Sequence, residues 1–305
     1  MQMLSIADYI SLPKIDAHNH LNLGMRYASY ALWAGFYIPD FPRKLNGLGE
    51  MHEIIGQYTR PRTKTSKDIT DLLTLSIQDA VADGVTVLEG SVDIGFVNHC
   101  GGVDNLLKVV QTVKDKFCGK INFRPELGMG KTFGIDKIKE WAPPLLESGI
   151  FKSIDLYGPE VEDGIEDFEE IYKLAGKLGI KRKAHVGEFS DAKSVRNFIN
   201  FFDLEEVQHG IGAATDETVM QFIKDRNVRL NICPESNVML SAVPSYPEHP
   251  IKTLVEAGIN VSIATDDLMF FNRTVSEECF DLVNNGVLTE EQIKSILASN
   301  VAEYE

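Results

Sequence analysis

Short apolar, β-branched runs recur along the chain, and stretches with helical spacing lie between most of them. The runs are Lys14–His20, Val85–Ser91, Ile121–Leu127, Ser153–Leu156, Arg182–His185, Glu206–His209, Val228–Ile232 and Asn260–Ala264. Each has the length and composition of a strand. Residues 68–83 place Ile69, Leu72, Leu73, Ile77, Ala80 and Val81 on one helical face, with Gly84 after the end. Residues 165–178 repeat the pattern with Ile165, Phe168, Ile171, Tyr172, Ala175 and Leu178, closed by Gly179. Residues 216–226 do so with Val219, Phe222 and Ile223, and Asp216 can cap their start. Thr289-Glu290-Glu291-Gln292 has the form of a capping box opening the last helix. Strand–helix alternation predicts a parallel sheet covered by helices. Eight such units point to a closed (β/α)8 barrel of the TIM type. No break in composition divides the chain, so residues 1–305 are read as a single barrel domain.

One connection breaks the rhythm. Residues 21–67, between the first strand and the helix before the second, hold Tyr27, Tyr30, Trp33, Phe36, Tyr37 and Phe41. Long connections in compact domains are usually binding loops or lids, and loops that follow barrel strands form the active face. This excursion is therefore expected to be a lid or substrate-binding segment. A helical insertion that only packs on the barrel mouth is the plainer alternative.

Composition narrows the partners. There are 45 acidic and 30 basic side chains, a net charge of −15. Phosphate backbones and anionic membrane surfaces repel such a chain, so neither a nucleic acid nor a membrane is expected as a partner. Hydrophobic content of 44% excludes a disordered chain. Cys100, Cys118, Cys233 and Cys279 show no C-x-x-C spacing and read as reduced thiols, which suits a cytoplasmic protein. The first residues lack the basic start of a signal peptide, and no apolar run is long enough to span a bilayer.

Candidate chemistry collects at strand ends. His18 and His20 close the first strand, His185 the fifth and His209 the sixth, while Asp266 and Asp267 follow the eighth. Positions i and i+2 of a strand share a face, so His18 and His20 can reach one ion. A single histidine is usually a satisfied structural residue, but four delivered to one rim with two carboxylates point to a metal. Imidazoles with a carboxylate are a natural zinc set, and a catalytic zinc keeps one position open for water. His52, His99 and His249 lie in predicted loops and read as surface residues. Trp33 and Trp141 read as packing residues. Cys233-Pro234 reverses the order of the cytidine-type zinc deaminases, and no H-x-E accompanies it.

In chain order the segments PKIDAHNHL (13–21), DLYGPE (155–160), AHVGE (184–188), VQHGIGA (207–213), NICPESNV (231–238) and SIATDDL (262–268) resemble the adenosine deaminase family of the amidohydrolase superfamily. The ordered set HxH, HxGE, HG and TDD is specific, and the likeness runs through most of the chain. The resemblance implies one zinc ion per chain, held by His18, His20, His185 and Asp266. It implies Glu188 as proton shuttle to the purine N1 and His209 as the group that orients the attacking water. Asp267 would meet the purine N7, and Gly158 would offer its backbone N–H to N3. The implied reaction is hydrolytic loss of ammonia from a 6-aminopurine, most readily adenosine or a modified adenosine.

Two positions depart from the family pattern. Asn22 stands where relatives carry an acid that meets a ribose hydroxyl, and Leu268 replaces the proline after TDD. Residues 43–67 also carry Arg43, Lys44, Arg60, Arg62, Lys64 and Lys67 against Glu50 and Glu53, a local excess of positive charge that could face a 5′ anionic group. Adenosine, adenine, 5′-modified adenosines and N6-substituted nucleotides all stay open, as does oligomeric state. Two other readings compete. A binuclear amidohydrolase or phosphotriesterase needs a bridging lysine at the end of the fourth strand, whereas Lys152 lies at its start. A non-catalytic purine-binding homologue would have no need of all four ligands and Glu188.

Overall fold

The computed structural model describes residues 4–35, 41–42 and 44–305. Phe36, Tyr37 and Arg43, singled out above, lie outside them. Eight strands form the centre: β1 (Lys14–His20), β2 (Val85–Asp93), β3 (Asn122–Gly130), β4 (Ser153–Tyr157), β5 (Lys181–Val186), β6 (Glu206–His209), β7 (Arg229–Ile232) and β8 (Val261–Ile263). Each pairs in parallel with the next in sequence. The last strand returns to the first, because the Asp266 N–H donates to the His18 carbonyl at 2.8 Å and Asn19 bridges to Asp266. The fold is the (β/α)8 barrel that the alternation predicts.

All eight predicted runs are strands. β2 and β3 continue to Asp93 and Gly130, past the apolar pattern, toward the mouth of the barrel. β1 is not a regular strand throughout, since its register against β2 shifts between Asp16 and Asn19. The capping predictions hold. Asp216 accepts the Thr218 and Val219 N–H groups at the start of Glu217–Asp225, and Thr289 forms its box with Gln292. The helix over 165–178 begins with a tighter turn, Ile165–Phe168, before Glu169–Lys177.

Below the mouth, the barrel interior holds charges. Lys183, fully buried, lies 2.7 Å from Glu89, 2.9 Å from Glu126 and 3.3 Å from Glu206. Arg229 reaches Glu206 at 2.6 Å. Burial disfavours the Glu206 carboxylate, but Arg229 and Lys183 outweigh it and hold its pKa well below the ordinary value. Removing one member of such a set leaves an unpaired buried charge, the costly case.

The described residues of the excursion after β1 are largely helical. They include Tyr27–Ala34, Leu48–Tyr58 and a tight turn at Arg60–Arg62. Tyr30, Met51 and Ile55 share a hydrophobic cluster with Leu240, Met269 and Phe271, from the connections after β7 and β8. Phe41 stacks on Phe270 with ring centroids 4.1 Å apart. The excursion is thus anchored across the mouth and walls the cavity described below. No helix among the described residues is long and apolar enough to cross a membrane.

Candidate active site

The strand ends bring four donor atoms together. His20 Nε2 lies 3.4 Å from His185 Nε2 and 3.5 Å from Asp266 Oδ1, and His18 Nε2 lies 3.6 Å from the same oxygen. Four ligands about 2.0–2.1 Å from a tetrahedral ion stand roughly 3.4 Å from one another. His18 Nε2 is buried without a hydrogen-bond partner. Burial also lowers the pKa values of His18 and His20, which favours the neutral imidazole a metal needs. The set fits a divalent cation.

Neighbours aim these donors. His185 Nδ1 faces Asp155 Oδ1 at 3.1 Å, which turns Nε2 toward the other donors. Burial disfavours the charged His185 ring, but Asp155 outweighs it and raises the pKa. Ser236 donates its hydroxyl to Asp266 Oδ2 at 2.7 Å. Cys233 Sγ lies 3.3 Å from His18 Nδ1, and burial holds it as a thiol. Lys152 bonds the Gly149 carbonyl at the opposite end of β4, away from the donor set.

Glu188 and His209 sit beside the donors. His209 Nε2 is 3.5 Å from Glu188 Oε2 and 3.9 Å from Asp266 Oδ2. Burial, then Asp266, raises Glu188 well above the ordinary carboxyl range, which favours the protonated acid. Burial drives His209 down to about 3 and keeps it neutral. Both His209 (φ 65°) and Asp266 (φ 57°) take left-handed backbone, a conformation non-glycine residues adopt mainly where surroundings enforce it. Gly187, before Glu188, has φ 82°, and a Cβ there would come 2.4 Å from Val195. That clash gives the glycine of HxGE a physical reason.

A cavity of about 550 Å³ opens above these groups. Asn22, Gly158, Asp267, Glu188, His209 and Asp266 all line it. Asp267 Oδ1 is buried with no partner, and burial followed by Asp266 raises its carboxyl well above the usual range. Of the described basic residues from 44 to 67, Arg60 alone is on the wall, and Lys67 is spent on Asp71 at 2.5 Å. The positive excess does not converge on the cavity.

Three histidine expectations need correction. His52 and His99 are exposed but lie in helices, Leu48–Tyr58 and Phe96–Cys100, and both reach the cavity. His249 is only 3% exposed and bonds Asn237 Oδ1 at 3.2 Å. Trp33 donates to Asp71 and packs near Tyr30, and Trp141 packs near Phe133, as packing residues should. Residue-type reasoning missed Asp155, Glu160, Ser236 and Asn237. All four stand inside quoted motifs, and Asp155 is an acid within the apolar β4 run, which was the available signal.

Comparison with known proteins agrees with this geometry. The adenosine deaminase family model matches residues 57–303. A protein of Treponema pallidum (strain Nichols), provisionally named an adenosine/adenine deaminase, is 52% identical over 97% of this chain and 99% of its own. The fold is shared with a zinc-bound amidohydrolase from Burkholderia ambifaria, at TM-score 0.80 and 19% identity over 99% of this chain and 88% of that one. It is shared equally with the N6-methyl-AMP deaminase of Arabidopsis thaliana, at TM-score 0.80 and 18% identity over 98% and 93%. With most of its length matched by the family model and a half-identical relative aligned almost end to end, the chain belongs to the adenosine deaminase family.

Proposed function

We propose that this protein is a mononuclear zinc aminohydrolase that removes the 6-amino group of adenosine, or of a modified adenosine, as ammonia. The observation that carries this reading is the set of four donor atoms, linked by separations of 3.4, 3.5 and 3.6 Å, with the raised Glu188 carboxyl beside it. His18, His20, His185 and Asp266 would hold the ion. Zinc bound there supplies a Lewis-acidic centre that makes hydroxide available near neutral pH. Zinc in the Burkholderia amidohydrolase supports this choice of ion.

The chain's own groups account for the rest of the chemistry. Attack at C6 breaks purine aromaticity, and a proton on N1 makes C6 more electrophilic. Glu188, kept protonated by burial, gives N1 that proton. A water oxygen adds to C6 and gives one proton to the now ionised Glu188 carboxylate, which passes it to the departing amine; the C–N bond breaks, ammonia leaves, and the second water proton, released as C6–O becomes a carbonyl, restores the Glu188 acid. His209 orients the water. The unpartnered Asp267 Oδ1 meets N7, the Gly158 N–H meets N3, and the Asn22 amide meets a sugar hydroxyl.

The cavity charge favours an uncharged substituent on the sugar. Arg60 is the single Lys or Arg among the described lining residues. A 5′-phosphate would meet a single fixed cation on that wall. The test is an ammonia-release screen of the zinc-loaded protein against adenine, adenosine, 5′-modified adenosines, AMP and N6-methylated analogues. The expected outcome is turnover of adenosine or an uncharged 5′ analogue, with kcat/KM for AMP lower by at least about tenfold. No ammonia from any purine, with one zinc bound, would favour the non-catalytic homologue. A metal content near two per chain would favour the binuclear reading.

A further inference from the structure

A chain of buried side chains runs from a backbone amide to the two groups assigned proton chemistry above. The Ile251 N–H can only donate, and it points at His249 Nδ1 from 3.1 Å. Burial holds His249 neutral, with its pKa lowered to about 3, so the ring carries a single proton. With Nδ1 accepting, that proton sits on Nε2. His249 Nε2 then donates to Asn237 Oδ1 at 3.2 Å. This fixes the Asn237 amide, with its oxygen toward His249 and its nitrogen toward the site.

The Asn237 nitrogen has two hydrogens and two partners. One goes to Glu188 Oε1 at 2.8 Å, the other to His209 Nδ1 at 3.1 Å. His209 therefore accepts on Nδ1 and carries its proton on Nε2, the atom facing Glu188 Oε2 and Asp266 Oδ2. Glu188 accepts on Oε1, so the proton it holds belongs on Oε2. A flipped Asn237 would turn an oxygen toward both groups, moving the His209 proton to Nδ1 and the Glu188 proton to Oε1. The helix bearing Asn237, Pro234–Met239, is itself tied down, since Glu278 accepts the Glu235 N–H at 2.9 Å and the Tyr246 hydroxyl at 2.6 Å.

We infer that His249 and Asn237 are positioning residues that transmit a fixed hydrogen-bond polarity from the Ile251 amide to both Glu188 and His209, selecting one tautomer of His209 and one protonated oxygen of Glu188. The inference rests on the deaminase reading for the value of that selection, but the tautomer itself can be read without any substrate.

The test combines nitrogen-15 histidine spectra of the metal-loaded protein with steady-state ammonia release for wild type, His249→Phe, His249→Gln and Asn237→Asp. Wild type should show His209 as the Nε2–H tautomer alone. His249→Phe removes the donor and should give mixed His209 tautomers. Its kcat should fall by about tenfold or more, with KM within about threefold and metal content unchanged. His249→Gln, which keeps an N–H for Asn237, should recover part of kcat. Asn237→Asp has no N–H and should turn His209 to the Nδ1–H form. If His249→Phe does not fold, the tautomer in Asn237→Asp decides alone. A wild-type His209 protonated on Nδ1 overturns the inference, and so does a fall in kcat with the tautomer unmoved. Wild type inactive on every purine, with the tautomer as stated, overturns the deaminase reading instead.

Discussion

The Glu160 carboxylate holds the backbone of Glu188. It accepts the Glu188 N–H at 2.9 Å, and also those of Gly187, Phe189 and Ser190 at 3.0, 3.1 and 2.8 Å. The Ser190 hydroxyl adds a fifth bond at 2.6 Å. Four amides converging on one carboxylate form an anion nest, here filled by the protein's own side chain. Glu160 thereby fixes the turn after β5 on which the proposed proton donor rides. Charge-assisted hydrogen bonds are worth about 1.5–3 kcal/mol each. Glu160→Gln keeps a single carbonyl acceptor and should lower kcat by about tenfold to a hundredfold, the equivalent of one such bond. Bound zinc should be unchanged, because no metal donor touches Glu160. Kinetics alongside metal analysis of the purified variant check both halves.

Removing the proton donor itself should be far more severe. Glu188→Gln keeps the shape and the contact with Asn237 but cannot give up a proton to N1. General acid–base groups contribute about 10²–10⁴-fold, and a loss in that range is expected with metal retained. The pH profile carries the same information. Burial and Asp266 raise the Glu188 pKa, so its protonated form survives above the ordinary carboxyl range and is lost as pH rises through the raised value. Activity that depends on this proton therefore falls on the alkaline side. Wild-type kcat measured against pH should show that fall, and the residual rate of Glu188→Gln should lack it.

The barrel was legible because its strands are buried apolar runs broken by turns, and because strand ends bring His18, His185, His209 and Asp266 to one rim whatever the loops do. The cap was not. Residues 27–34, Tyr-Ala-Ser-Tyr-Ala-Leu-Trp-Ala, are apolar nearly all round and show no helical face, and the helix Leu48–Tyr58 contains Gly49 and Gly56. The first takes its helicity from packing on Met269 and its neighbours rather than from local pattern, whereas in the second Leu48, Met51, Ile55 and Tyr58 share a face that the two glycines obscure. His249 stands between Glu248 and Pro250, a turn-like setting that suggests the surface; its burial is a tertiary fact. The acids of β2, β3 and β6 were hidden for a related reason, since a charged residue in a strand reveals its partner only once the barrel closes around Lys183.

The metal donors allow a graded test. Asp266→Ala removes a proposed ligand and should abolish both metal and activity. Asp155→Asn leaves every donor in place but weakens the acceptor behind His185 Nδ1. Loss of such a partner typically costs about 10–100-fold in metal affinity. Chelator competition should place Asp155→Asn between wild type and Asp266→Ala. Stripping metal from wild type should lower its Tm, because an ion that binds the folded chain alone stabilises it by mass action.

Asn22 bears on the sugar. Asn22 lines the cavity at the position where the family resemblance implies an acid, and an amide offers a hydroxyl a neutral hydrogen bond. A neutral bond of this kind contributes about 0.5–1.5 kcal/mol. Asn22→Ala should therefore lower kcat/KM for adenosine by about twofold to tenfold and leave adenine unaffected, since adenine has no sugar for it to touch. Asn22→Asp should strengthen the contact and raise the ratio of adenosine to adenine turnover. Arg60→Ala serves as the control for charge at the same wall, and should shift neither substrate by more than about twofold because neither carries an anion. An equal loss on adenosine and adenine in Asn22→Ala would remove Asn22 from sugar recognition and assign it to the shape of the turn after β1.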